Sequence, residues 1–384
     1  MRILIIGYGQ VGKVLASLLK EHEPVKHVVC ADKEPSESPD PGLQVVRVDL
    51  SQREQIQELI DAWKPTLVVN AALPRFNKAS MACCAQARVH YLDMASYWDY
   101  ATDKDAVSPY KVEQLDFDEQ FRKHGLIGLI NAGVSPGLTN LFAAECVDEL
   151  DEADQVKIRL VEDTGSDSLS FPWSKEWLLD ELNWRPLTYE EGTFKTAQHF
   201  GREEIFSFPH PIGKRPVCLV SQEEIGTLPL YLDLKRVDIK AYDNQAHLLR
   251  PLLELGLTSH RKVLIKGVNI TPFEFLSKAL PDTPNDAKSM KDAVFAFTVE
   301  VTGVKDGEHK TIKLSAIFPT QKDIEKVSDD ASFISYPTAL SAFLFIKNFE
   351  RIQRKGVFPP ECLDKVTMKD ILKEVDERIN LIRG

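Results

Sequence analysis

The sequence predicts an α/β fold, a Rossmann doubly wound parallel sheet with an inserted α+β substrate domain. Three observations predict it. Strand-like and helix-like stretches alternate through the first 130 residues, and parallel strands need a crossover helix between them. Gly7, Gly9 and Gly12 form a G-x-G-x-x-G run between the first apolar stretch and the first helical pattern. After about Val134 the rhythm changes to successive strands, and it becomes helical again near Ser335.

Residues 2–6 are a continuous apolar run ending in glycine, and 11–20 carry apolar side chains at helical spacing. Residues 25–31 and 43–48 predict the second and third strands, 56–63 a helix and 67–70 a fourth strand. Between these, the Pro- and Ser-rich stretch 34–42 reads as a surface loop. A helix over 79–87, a strand over 90–93, a helix around 117–123 and a strand over 125–131 follow. Farther on, 156–161, 228–234, 262–265 and 294–304 read as strands, and VKDGE at 304–308 places a D-G turn between alternating apolar residues. Helical patterns cover 335–352 and 368–382. Domain boundaries fall where the pattern shifts, so residues 1–130 plus 335–384 are expected to form the dinucleotide domain, with 131–334 inserted as the substrate domain.

A chain of 384 residues exceeds what one hydrophobic core comfortably fills. Its net charge of −11, without a lysine or arginine run, argues against nucleic acid or anionic membrane as the main partner. No apolar stretch approaches the roughly 20 residues of a membrane span, and the opening MRILIIGYGQ is too short and glycine-rich for a signal peptide, so a cytoplasmic protein is expected. Cys30, Cys83, Cys84, Cys146, Cys218 and Cys362 form no C-x-x-C pair, and the histidines form no ligand pair, so neither a disulfide framework nor a metal site is expected.

The glycine run carries the chemistry. The first glycine permits a tight turn, the second lets the backbone approach a pyrophosphate, and the third lets helix and strand pack closely. Gln10 and Val11 begin the helix, whose N-terminal amides and dipole favour phosphate. Asp32 ends the second strand at the spacing of a ribose ligand, and its carboxylate would repel a 2′-phosphate, which favours NAD. Lys33 beside it could partly neutralise such a phosphate, so NADP stays open.

Ligands of such sheets sit outside the carboxyl ends of the strands, which singles out three loops. NAALPRFN begins at Asn70 and Ala71, DMASY at Asp93, and NAGVSPGLTN at Asn131. The last places Gly133, Pro136 and Gly137 where a rigid backbone could approach a flat ring, although glycine and proline also make domain hinges.

The opening GYGQVG and the segments NAALPRFN, HYLDMAS and INAGVSPGLTN, in this order and spacing, resemble the saccharopine dehydrogenase-like family. The likeness continues through Trp173-Ser174, LLRPLLELGL, VKDGE, SYPTALSAF and KGVFPPE, and in layout it is nearest to the lysine dehydrogenases of that group. It implies hydride transfer between a nicotinamide and a carbon bearing nitrogen, on an amino acid, opine or carboxylated polyamine, in a homodimer, with the inserted α+β domain 131–334 serving as the substrate-binding and dimerisation domain. It also implies that Pro74 and Phe76 line the nicotinamide ribose and that Asp93 faces the reacting nitrogen; Asp93 can equally be a structural cap. Trp173 would wall the substrate pocket or pack in a core, with Ser174 beside it. Where relatives carry Arg-Tyr-x-Gly-His, this chain reads Ala241-Tyr242-Asp243-Asn244-Gln245. The arginine suited to a carboxylate is missing, and Asp243 would repel one. Arg75 or Arg250 could supply that charge. The departure also motivates a second reading, a nucleotide-binding sensor or scaffold without catalysis.

Overall fold

Strand β1 (Arg2–Ile6) is buried along four of its five residues and lies at the heart of a seven-stranded sheet. The computed structural model describes residues 1–34, 42–97, 112–171, 174–280, 290–328 and 331–384; the loop expected over 34–42 lies almost wholly outside them. Helix α1 (Gln10–Lys20) buries Val14, Leu15, Ala16 and Leu19 on one stripe. Strands β2 (His27–Asp32) and β3 (Gln44–Arg47), helix α2 (Arg53–Trp63), strand β4 (Leu67–Asn70), helix α3 (Asn77–Ala87) and strand β5 (His90–Asp93) follow in alternation. Helix α4 (Asp118–Lys123), strand β6 (Ile127–Leu129) and helix α5 (Leu138–Asp148) continue the pattern.

Across the sheet the order is β3, β2, β1, β4, β5, β6 and then the late strand Gly356–Phe358. Each neighbouring pair is parallel. This is the doubly wound Rossmann order, whose reversal between β1 and β4 opens the ligand crevice at the strand ends. The late helix Ser335–Lys347 is buried along most of its length and packs on α1.

The chain divides into two units. The first comprises Met1–Glu149, Gly226–Asp233 and Ser335–Arg378, and the second comprises Leu150–Ile225, Leu234–Ile334 and Ile379–Gly384. Three pieces depart from the sequence boundaries. Helix α5 and the segment Gly226–Asp233 go with the first unit because both pack on the turn Pro360–Cys362. The helix expected to run to 382 stops at Arg378, and Asn380–Arg383 becomes an edge strand of the second unit. Residues 228–234, expected as a strand, contain the short helix Leu228–Tyr231, with Pro229 in its first turn, where a missing N–H costs nothing.

The second unit holds a nine-stranded sheet in which Glu152–Asp163 pairs in parallel with Arg236–Asp243 and antiparallel with Val294–Lys305. The expected D-G hairpin joins Val294–Lys305 to Glu308–Ile317. Asp306 and Gly307 both take positive φ, 53° and 80°, the geometry that matches strand twist in a two-residue turn.

Candidate functional site

The glycines of the first loop divide by function. Gly7 turns the chain at φ +100°, and a Cβ there would stand 2.6 Å from the Ala72 amide nitrogen. At Gly12 a Cβ would run into the Gly7 carbonyl oxygen. At Gly9 it would meet nothing within 4 Å, and the backbone there is extended, at φ −79° and ψ −163°. Gly7 and Gly12 are thus glycine for the fold, whereas Gly9 leaves room that the protein itself does not use. No side-chain cap closes the N-terminus of α1 at Gly9, Gln10 and Val11, so backbone N–H groups and helix dipole face that room.

Asp32 is fixed beside this loop. Its Oδ2 accepts the Tyr8 N–H at 2.7 Å and its Oδ1 the Glu34 N–H at 3.1 Å. Lys33 is exposed and lies 3.8 Å from Asp49, while Arg47 Nε donates to the Lys33 carbonyl at 3.1 Å. A carboxylate held at the end of β2 next to a cradle a Cβ would fill fits a dinucleotide, with the adenosine ribose at Asp32 and the pyrophosphate at Gly9.

At the ends of β4 and β5 lies a buried polar frame. Asn70 Nδ2 donates to Asn77 Oδ1 at 2.6 Å, the Tyr91 hydroxyl donates to the same oxygen at 3.0 Å, and Asn77 Nδ2 donates to Ala95 O at 2.8 Å. Asp93 is 1% exposed; its Oδ1 accepts the Asn131 N–H at 2.8 Å and its Oδ2 accepts Gln114 Nε2 at 3.3 Å. Burial pushes the Asp93 carboxyl up to about 7 against the pull of the Asn131 amide. The group is enclosed by its partners and ties β5 to the loop after β6. Of the NAALPRFN loop, Ala71 and Phe76 are half-buried, Pro74 is buried, and Arg75 is exposed with its guanidinium 5.1 Å from the Phe76 ring centre.

The NAGVSPGLTN loop is buried except at Ser135. A Cβ on Gly133 would stand 3.0 Å from both the Met94 and Pro136 carbonyls, and one on Gly137, at φ +138°, would collide with Gly133. Gly133 N–H donates to Pro136 O at 3.0 Å, and Asn140 accepts the Gly137 N–H while donating to Thr227 and Glu361. Gly133, Pro136 and Gly137 therefore close this loop on itself, a packing role that sequence spacing could not separate from ligand contact.

In the second unit the side chains gather elsewhere. Glu162 and Asp243 end two parallel strands and stand directly opposite each other in register. With Glu181, the last residue of the helix Lys175–Glu181, they line a solvent-open cavity whose other walls include Leu178, Phe200 and Leu249. Burial, then the charge of Asp243, pushes the Glu162 carboxyl up to about 8. Burial, then the neighbouring carboxylates Glu223 and Glu162, holds Glu181 well above the usual range. Burial raises Asp243 to about 6, although its Oδ1 accepts the Gln245 N–H at 2.7 Å. His199 in the same wall is pushed down to about 4 by burial and supplies no compensating charge.

Asn244 and Gln245 are structural here. Asn244 Oδ1 accepts the Thr164 N–H at 2.9 Å, and Gln245 Oε1 accepts the Ser170 N–H at 2.5 Å. Ser174 caps the helix Lys175–Glu181, its Oγ accepting the Trp177 N–H at 3.3 Å; Trp173 lies outside the described residues. Arg250 donates to the Phe200 carbonyl at 3.0 Å and lies near Glu254. Sequence reasoning missed Glu162 and Glu181, because sheet register brings Glu162 beside Asp243 and tertiary packing brings the end of the helix Lys175–Glu181 to the same cavity. Among the described residues no group of His, Cys, Asp and Glu is arranged to hold a metal, and no helix is long and apolar enough to cross a membrane.

A Rossmann sheet with this glycine loop and strand-end carboxylate, in a chain whose second unit has its own cavity, has the form of a nicotinamide-dinucleotide-dependent oxidoreductase. Residues 3–129 match the saccharopine dehydrogenase NADP binding domain and residues 133–380 the saccharopine dehydrogenase C-terminal domain. The chain belongs to the saccharopine dehydrogenase family. It is 26% identical over 384 residues to a carboxyaminopropylagmatine dehydrogenase of Synechocystis sp., covering 94% of this chain and 93% of the relative. It is 27% identical over 333 residues to a carboxynorspermidine synthase of Vibrio alginolyticus, covering 84% and 78%. Among solved structures it superposes with TM-score 0.68 on the apo saccharopine dehydrogenase (L-Glu forming) of Saccharomyces cerevisiae, at 12% identity over 100% of this chain and 99% of the other. The homospermidine synthase of Legionella pneumophila in complex with NAD matches equally well, TM-score 0.68, at 14% identity over 100% and 91%.

Proposed function

We propose that the chain transfers hydride between NAD(H) or NADP(H) and the carbon of a C–N bond in an amino acid, opine or carboxylated polyamine, acting as a homodimer in the cytoplasm. The observation that carries this reading is the open space at Gly9, framed by glycines at 7 and 12 that the fold itself requires. The dinucleotide, when bound, supplies the hydride acceptor or donor. In the oxidative direction the carbon loses hydride, the nitrogen releases its proton, and water cleaves the imine to a carbonyl and a free amine. In the reductive direction amine and carbonyl condense with loss of water, and the imine takes up hydride and a proton. The full-length likeness to enzymes named for carboxylated polyamines favours that class among the three.

In this reading Gly7, Gly9, Gln10, Val11 and Gly12 form the pyrophosphate cradle, Asp32 holds the ribose, and Asn70, Ala71, Pro74 and Phe76 frame the nicotinamide end. Asp93 is a positioning residue, because its carboxylate is enclosed between Asn131 and Gln114. Dimerisation is supported by the hairpin Val263–Ile265 and Val268–Ile270, which exposes Val263, Leu264, Ile265 and Val268, an apolar group of the kind that marks interfaces. Six free thiols, four of them buried, suit a reducing compartment.

Titration with NADH and NADPH tests the reading directly. Binding of at least one, weakened about tenfold or more for NADH in Asp32→Ala, is expected from the loss of a bidentate ribose contact. Absence of binding by both nucleotides to the wild type overturns it.

A further inference from the structure

We propose that the cavity bounded by Glu162, Glu181 and Asp243 binds an alkyl chain ending in a cationic nitrogen, an ammonium or a guanidinium. The inference deepens the oxidoreductase reading, since it assigns the cationic end of that enzyme's substrate, and it rests on that reading only for the word substrate.

The fold compensates its other buried charges in the same sheet. On the opposite face of the same two strands, Arg159, 1% exposed, is held by Glu204 and by Asp238, each at 2.7 Å, and Lys240 pairs with Glu204 at 3.0 Å. One strand over, Glu300 is paired with Lys157 at 3.0 Å and Lys313 at 2.6 Å. Glu162 and Glu181 break this pattern. Among the described residues neither carboxylate receives a hydrogen bond or a cation, and Glu162 faces Asp243 across adjacent strands, an arrangement of like charges that destabilises a sheet. Glu162, Glu181 and Asp243 are half-buried and line the open cavity, so their unpaired oxygens face a space that a cation can enter.

A second observation points the same way. The Ser221 hydroxyl oxygen, in a residue only 2% exposed, and Gln222 Oε1 belong to residues lining this cavity and have no hydrogen-bond partner among the described residues. Both can accept N–H donors. Three carboxyl groups, two further acceptors and a neutral histidine leave no cation in the lining, while Leu178, Leu182, Phe200 and Leu249 offer apolar contact to methylene groups. The cavity opens to solvent, so a chain can enter it end-on with its head group at the carboxylates. Ammonium and guanidinium are pure donors, which is the complement of this lining.

Protonation sets the expected pH dependence. Glu223 and Glu224 bear on Glu181 from the turn after the strand Lys214–Leu219, Asp163 bears on Asp243, and His199 and Cys218 complete the titratable lining. Glu162 holds its proton until about pH 8 in the empty protein, so a cation must displace a proton to bind, and affinity rises with pH toward that value.

The test is calorimetric titration of the full chain, with and without saturating NADP⁺, using 1,4-diaminobutane and 4-guanidinobutylamine as probes and 1,4-butanediol and succinate as controls. At least one cation is expected to bind, about tenfold or more tightly at pH 8 than at pH 6, and the controls are not. Which cation binds more tightly names the head group. E162Q and E181Q are expected to weaken cation binding about tenfold or more while retaining a cooperative unfolding transition and unchanged NADPH binding. Failure of both cations to bind in either condition, equal binding by the diol, or undiminished binding by both variants overturns the proposal. Absence of binding of both NADH and NADPH by the wild type would instead strike the oxidoreductase reading.

Discussion

Replacing Glu162 by glutamine should stabilise the ligand-free protein, and the gain should grow as pH rises. Burial and the neighbouring Asp243 raise the Glu162 carboxyl from 4.5 to about 8. The unfolded chain therefore gives up this proton near pH 4.5, whereas the folded chain keeps it until about pH 8. Between those values the unfolded state binds fewer protons, so stability falls with rising pH. At about 1.4 kcal/mol per pH unit for one proton, the interval from pH 5 to pH 7.5 amounts to about 3 kcal/mol. Glutamine keeps the shape and carries no titrating proton, so Glu162→Gln should gain about 3 kcal/mol on the wild type across that interval. Urea unfolding followed by tryptophan fluorescence, which reports the edge-on Trp177–Trp184 pair in the same unit, measures the difference at both pH values in amine-free buffer. A gain smaller than about 1 kcal/mol would refute the reasoning, because it would mean the carboxyl ionises in the folded protein much as it does in water.

The glycine loop and Asp93 give two further contrasts. Gly9→Val should leave the unfolding temperature within about 2 °C of wild type, since its Cβ meets nothing within 4 Å, while weakening NAD(P)H binding about tenfold or more. Gly12→Ala should instead cost about 1–3 kcal/mol by forcing α1 off the Gly7 carbonyl; equal stability of the two variants in thermal scans would count against the division of roles. Asp93→Asn keeps an acceptor for the Asn131 N–H and should fold, whereas Asp93→Ala leaves that buried donor unpaired at a cost of about 1–3 kcal/mol. An alanine variant as stable as the asparagine one would remove the positioning role.

Much of the first unit was legible in the sequence because its signals are local. An apolar run, three glycines and a helical stripe are adjacent in the chain, and the crossover rule then orders the strands. The hairpin at Asp306-Gly307 was legible for the same reason, as two residues with positive φ determine it. The errors arose where tertiary context overrode local pattern. Residues 228–234 are leucine-rich and short, which suits a strand or a buried helix equally, and Pro229 decided for a helix start. The last residues continue a helical spacing, yet Asn380–Arg383 finds an open sheet edge at Glu308–Ile317 and takes its hydrogen bonds there.

The departure at residues 241–245 has its explanation in charge rather than motif. In the sequence, Ala241 reads as the loss of an anion-binding arginine and Asp243 as a charge that would repel an anion. In the structure it stands opposite Glu162 on the next strand, with Asn244 and Gln245 anchoring the neighbouring loop. Glu162 and Asp243 are 81 residues apart by their numbering, so no window of sequence contains both. Only the register that puts them side by side exposes an electrostatic conflict, and a conflict unrelieved by any described cation costs folding free energy that packing must offset. Such a cost is retained where a ligand removes it, because the same desolvation that raises the carboxyl groups strengthens their attraction for a cation that enters. In the proposed site the preference for a cationic ligand group is set by the Glu162–Asp243 pair rather than by either residue alone.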